Sequence, residues 1–220
     1  SALIDETGSF VWACAPRVDG DPFFSALLGG EAPAAGFWSI EAEGQVQARQ
    51  SYLRNTPILR TELTDASGAS LEIIDFCPRY RQFGRTYRPL AFVRIVRPLV
   101  GTPRIRVRLR PAVNYGEQAA GTTVGSNHIR FVGGETTLRM TTNAPVIHIH
   151  SERMFRLETP VAMFLGPDEG FDNDVGGSAA QMLRETEESW RAWVRTLSVP
   201  LEWQEAVIRA AITLKLSLFE

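Results

Sequence analysis

"LAFVRIVRPLVGTPRIRVRLRP", residues 90–111, is the stretch on which the reading of the fold turns. Two short runs rich in β-branched and alternating residues flank Gly101-Thr102-Pro103, and neither carries the three-to-four-residue spacing of a helical stripe. Successive strand side chains point to opposite faces, so Ile105, Val107 and Leu109 share one side while Arg104, Arg106, Arg108 and Arg110 share the other. Similar runs recur from residue 9 to about 165: "SFVWAC", "SYLRN", "ILRTELT", "SLEIIDF", "HIRFV", "TTLRMT", "VIHIH", "MFRLE" and "VAMFLG". Short strands at this spacing, punctuated by Gly, Pro, Asn and Asp and without intervening helices, predict a mainly β fold of antiparallel sheets packed as a sandwich.

Composition fits such a globule. A chain of 220 residues buries roughly 70% of its unfolded surface, enough to fold without a metal or disulfide staple. A formal charge of −2 gives no reason to expect nucleic acid or an anionic membrane as partner. Lys215 is the only lysine. Cys14 and Cys77 lie far apart with no CxxC pair, which favours free buried thiols in a reducing compartment and leaves a disulfide as the alternative. No run reaches the roughly 18 apolar residues of a membrane span, and nothing in the first residues given resembles a signal peptide. The expected compartment is the cytoplasm, although "SALID" begins without Met, as if in mid-strand, and a targeting segment could precede it.

The pattern changes near residue 166. "GPDEGFDNDVGGSA" reads as a loop, and "SAAQMLRETEESWRAWVRTL" as a helix with Leu183, Trp190, Trp193 and Leu197 on one stripe and Ser178 as N-cap. In "EWQEAVIRAAITLKLSLFE", Val207, Ala211, Leu214 and Leu218 form one face while Ile208, Ile212, Leu216 and Phe219 cover much of the rest. A helix apolar nearly all round is normally buried on several sides, and a sandwich covers one. The expectation is a chain cut at the threshold of a second, helical domain. A homo-oligomer in which this helix packs on a neighbouring copy is the alternative.

The corner "ALIDETGSFVWACAPRVDGDPFFSALLG", residues 2–29, resembles the opening pattern of bacterial glycoside hydrolase family 15, the glucoamylase, glucodextranase and trehalase-like group. Trp12, Cys14, Pro16, Arg17, Asp19, Phe24 and Leu27-Leu28-Gly29 fall in place, with Ser9-Phe10-Val11 where the family has SID and Val18-Asp19-Gly20 where it has FDS. The resemblance continues collinearly through "YLRNTPILRTELTDASGASLEIIDFCP", "RIVRPLVGTPRIRVRLRPAVNYG" and the tail "TEESWRAWVRTL…WQEAVIRAAITLKLSLFE". It implies an N-terminal β-sandwich joined to an (α/α)6 barrel that hydrolyses α-glucosidic bonds with inversion, the two catalytic glutamates lying in the barrel. Under it, residues 1–170 are the sandwich, 171–200 the linker and connecting helix, and 201–220 the first barrel helix. The implied partners are this chain's own C-terminal barrel and an oligosaccharide or disaccharide at the domain interface; no cofactor, nucleic acid or membrane is implied. A free-standing carbohydrate-binding or protein-interaction sandwich is the alternative.

The residues themselves limit the chemistry. Inverting hydrolysis needs two carboxyl groups about 6.5–9.5 Å apart across a pocket. Asp19 and Asp21 are close in sequence but share a turn, where acids usually cap or turn the chain. Structurally, Pro16 stiffens a strand exit and Asp21-Pro22 opens a short helix carrying Phe24 and Leu27. Functionally, Trp12, Arg17, Asp19 and Asp21 are candidates for the rim of a sugar pocket, since indole faces stack on sugar rings and guanidinium forks bind hydroxyl-rich ligands. The four arginines of residues 104–110 read as a solvated sheet face or an interdomain contact to acidic groups rather than a phosphate stripe. His148 and His150 would share one side of a strand, but no further ligand at recognisable spacing completes a zinc site. "DEGFDNDVGG" does not keep the register of a calcium loop.

Overall fold

The computed structural model describes residues 1–30, 32–170 and 174–218. The first part of the chain forms strands β1 (Ala2–Ile4), β2 (Phe10–Cys14), β3 (Pro22–Phe24), β4 (Phe37–Ala42), β5 (Gln45–Tyr52) and β6 (Leu59–Asp65). Next come β7 (Ser70–Phe76), β8 (Tyr80–Gln82), β9 (Arg85–Tyr87), β10 (Phe92–Val100), β11 (Arg104–Arg110) and β12 (Ala112–Val113). The series ends with β13 (Gln118–Ala119), β14 (Gly121–Val124), β15 (His128–Val132), β16 (Leu138–Thr142), β17 (Phe155–Arg156) and β18 (Val161–Pro167). Three helices accompany them: α1 (Val146–His150), α2 (Val175–Val194) and α3 (Gln204–Ser217).

These strands make the expected antiparallel sandwich. One sheet runs β1-β2-β4-β11-β17, with β3 paired to β2; the other runs β14-β15-β16-β18-β10-β7-β6-β5. Strand β11 alternates as its sequence demands, with Ile105, Val107 and Leu109 buried between the sheets. In contrast, β7 and β10 are apolar on both faces. Leu71, Ile73, Phe92 and Val96 face the inter-sheet core, whereas Ile74, Phe76, Val93 and Ile95 face outward onto Val175 and Ala179 of α2. A sheet covered on both sides loses the alternation of a half-exposed one.

A charged pair interrupts this core. Arg94 and Asp75 are opposite each other on β10 and β7, and both side chains are buried. Arg94 donates to the carboxylate of Asp75 through Nε at 2.8 Å and Nη2 at 3.1 Å, and across the sandwich to the carbonyls of Trp38, at 2.8 Å, and Gly8. The rings of Phe10 and Trp38 flank its guanidinium at 4.8 and 5.0 Å. Burial pushes the Asp75 carboxyl up and the Arg94 fork pulls against that shift. One side chain thus ties the two sheets together through bonds to main-chain atoms.

Several local expectations are corrected. "VIHIH" is the short helix α1, not a strand: Pro145 precedes its first turn, and Val146 and Ile149, three apart, are the buried pair. His148 and His150 therefore lie on different sides of a helical turn; His148 stacks on Phe155 at 5.6 Å and His150 is exposed. Asp21-Pro22 opens strand β3 rather than a helix, and the helical turn that follows is the 3-10 segment Ala26–Leu28. Helix α2 is capped by Asp174, not Ser178: the Asp174 carboxylate accepts from the N–H groups of Gly176 at 3.2 Å and Gly177 at 2.8 Å. Two glycines in the first turn disguised that start as loop. The expectations for "DEGFDNDVGG" and for Phe219 and Glu220 fall partly or wholly outside the described residues.

Candidate functional site: a cleft between sandwich and helices

The four residues singled out around the first corner do not converge on a pocket. Arg17 and Asp19 form an exposed fork with each other, at 2.8 and 3.1 Å. Asp21 accepts the N–H groups of Asn114 and Tyr115, both at 2.7 Å, and so holds a loop in which both residues have positive φ, 54° and 55°. Trp12 is half-buried in β2. Asp21 lines a cavity of only about 30 Å³, shared with Ala15, Phe23 and Pro111.

The arginine row of β11 is charge-compensated from within the sandwich, not across a domain boundary. Arg104 bonds Glu43 twice at 2.9 Å, Arg106 and Arg108 share Glu41 at 3.0 and 3.2 Å, and Arg108 and Arg110 share Glu152 at 3.2 and 2.7 Å. Burial alone would raise the carboxyls of Glu41 and Glu152, but the bonds to their arginines outweigh it and hold both below the ordinary carboxylate range. With those carboxylates in place, the row offers no phosphate-binding stripe.

A concave feature lined by both apolar and charged side chains lies elsewhere. A cleft of about 400 Å³ opens between the β1 and β5 edges, the segment Cys77-Pro78-Arg79, and helices α2 and α3. Phe10, Leu59 and Phe92 form its apolar base, and Trp190 of α2 and Leu216 of α3 close one side. Arg79, Arg88 and Lys215 line it, as does Asp75, whose carboxylate is taken by Arg94. Sequence reasoning missed this cleft because its walls come from five distant segments. The signal available was the cluster of cations in "CPRYRQFGRTYRPL", residues 77–90, which no acid in that stretch balances.

Helix α3 docks through a small separate cluster. Ile208 and Ile212 pack with Trp190 and Val194 of α2, Arg209 donates to the Thr56 carbonyl at 2.9 Å, and its guanidinium lies 3.9 Å from the Tyr52 ring centre. Away from this cluster Val207 and Leu214 are exposed by 37 and 69%, and Trp203 and Leu218, which flank the two ends of the helix, by 81 and 60%.

Both cysteines are free and partly buried, and burial raises both thiol pKa values. Among the described residues no three His, Cys, Asp or Glu side chains converge to hold a metal ion. No helix among them is long and apolar enough to cross a membrane.

Comparison with known proteins places this architecture. A trehalase of Mycolicibacterium smegmatis is 27% identical over 98% of the chain, and a trehalase of Thermoplasma volcanium 23% identical over 99%. Trehalase 2 of Sulfolobus acidocaldarius is 27% identical over 62% of the chain. The chain spans only 36% of the length of the first two and 21% of the third. No solved structure matches. The family described as "Trehalase-like, N-terminal" matches residues 1–165, which takes in both sheets almost to the end of β18, and the chain belongs to that family.

Proposed function

We propose that the chain is the accessory β-sandwich of an enzyme that hydrolyses α-glucosidic bonds with inversion, and that it carries no catalytic pair of its own. The observation that carries this reading is the outward face of α3. Val207 and Leu214 are exposed at helical spacing, with Trp203 and Leu218 exposed at the two ends, apolar surface of a kind a helix normally buries. The similar proteins named trehalases are much longer than this chain, which leaves ample polypeptide to cover such a face. On this reading residues 1–170 are the sandwich, 171–200 the connection and 201–220 the first helix of an (α/α)6 catalytic domain. An oligosaccharide or disaccharide then binds near the interface, with Trp12, Arg17, Asp19 and Asp21 as rim candidates.

The side-chain chemistry supports a non-catalytic role. Inversion requires one free carboxylic acid and one free carboxylate about 6.5–9.5 Å apart. Asp75 is committed to Arg94, Asp19 to Arg17 and Asp21 to two backbone N–H groups. The test is glucose release from trehalose and maltose, comparing the 220-residue chain with any longer product of its gene. Only a longer product carrying further sequence should be active; hydrolysis by the chain alone would overturn the proposal.

A further inference from the structure

The cleft between the sandwich, α2 and α3 contains a cation that the described residues leave unbalanced. The backbone N–H of Arg79 donates to Thr186 Oγ1 at 3.0 Å, which pins the start of the β8–β9 hairpin against α2. Its guanidinium lies 4.9 Å from the Trp190 ring centre, and its Nε is buried without an acceptor among the described residues. Such a donor forgoes a charge-assisted hydrogen bond, among the strongest available to a side chain. Burial first, then Arg88 and Arg81, lowers the Arg79 pKa, as befits a guanidinium short of counter-charge. Around it the wall is largely apolar: Leu3, Phe10, Phe92 and Leu216. The volume, about 400 Å³, lies within the range of small-molecule sites, roughly 300–1,000 Å³.

We propose that this cleft binds a small organic carboxylate, the anionic head accepting from the Arg79 guanidinium and the apolar or planar body packing among Phe10, Phe92 and Leu216. Each half of the ligand follows from one half of the site. A neutral sugar would leave the Arg79 donor without a charged acceptor, and a bare hydrated oxyanion would leave the apolar walls uncovered. Because the walls come from both the sandwich and α3, an occupant would fasten that helix to the β-layers. The site is independent of any hydrolytic activity.

Isothermal titration tests it on the intact chain with three probes at constant ionic strength: benzoate, benzyl alcohol and inorganic phosphate. Benzoate should bind roughly tenfold or more tightly than benzyl alcohol, the gap expected for one charge-assisted bond, and should change the fluorescence of Trp190. Arg79→Met should abolish that preference. Arg79→Lys, which keeps the charge but loses the planar guanidinium, should reduce it several-fold in a protein whose circular dichroism is unchanged. Equal binding of benzoate and benzyl alcohol, unchanged benzoate affinity in both variants, or no binding at tens of millimolar would overturn the proposal. Phosphate binding more tightly than benzoate would also overturn it, assigning the site to a bare oxyanion.

Discussion

Arg94 shows how much one residue can carry. Its donors reach Asp75 in its own sheet and the carbonyls of Trp38 and Gly8 in the other, with aromatic rings on both flanks. Removing one partner of a buried pair leaves the other charge unpaired, so Arg94→Met should destabilise the chain by about 3–5 kcal/mol in urea unfolding. Asp75→Asn should also destabilise, since the amide keeps one acceptor but leaves the Arg94 guanidinium buried without a counter-charge. The double variant should cost less than the sum, because the two changes remove one shared interaction. The sequence contained the clue: Arg94 in "AFVRIV" and Asp75 in "SLEIIDF" are charges two positions from the inward-facing Phe92, Val96 and Ile73, and so share their face. What it withheld was their pairing, which depends on the register between β7 and β10. Arg17, Asp19 and Asp21 stood out by type and spacing, yet their bonds are to each other and to a nearby loop.

Among elements, β11 and α1 mark the limits of pattern reading. The alternation of β11 was legible; the acidic partners of its arginines, Glu41, Glu43 and Glu152, lie within the sandwich rather than across a domain boundary and had to be found in space. Both Glu41 and Glu152 titrate lower when folded than when unfolded. Their contribution is therefore complete above about pH 5 and is lost as pH falls through the folded values. Melting temperature should drop on acidification below about pH 5, and a Glu41→Gln, Glu152→Gln double variant should show a flatter profile. Because both groups are partly exposed, each substitution at neutral pH should cost only about 1 kcal/mol or less. Helix α1 was misread because five residues of β-branched and histidine character fit either period, and Pro145 with the packing of Val146 and Ile149 decided it. Helix α2 was legible in its body but not at its start. Asp174→Ala should cost about 1 kcal/mol, visible as faster hydrogen exchange in its first turn.

At the scale of the molecule, the sandwich followed from punctuation and strand spacing, and the order of strands within each sheet did not, since non-local pairing leaves no mark on a single run of residues. Helix α3 was expected to be apolar all round, and it presents an exposed stripe. The chain alone should self-associate through that stripe at high concentration. Leu214→Glu should shift sedimentation toward monomer without lowering stability, because Leu214 is 69% exposed and packs on little. Ile212→Ala, in contrast, removes a fully buried side chain from the small α2–α3 cluster and should loosen α3 by about 2–4 kcal/mol.

That cluster is built from four buried side chains, apart from the cores of the β-layers. The tail can accordingly swing away while the sheets stay folded, much as a latch lifts from a closed box. A protease added under native conditions should nick the chain near residues 196–203 first and leave the β-body resistant. Whatever seats α3 firmly, a bound molecule or a neighbouring layer of helices, would announce itself by slowing that single cut.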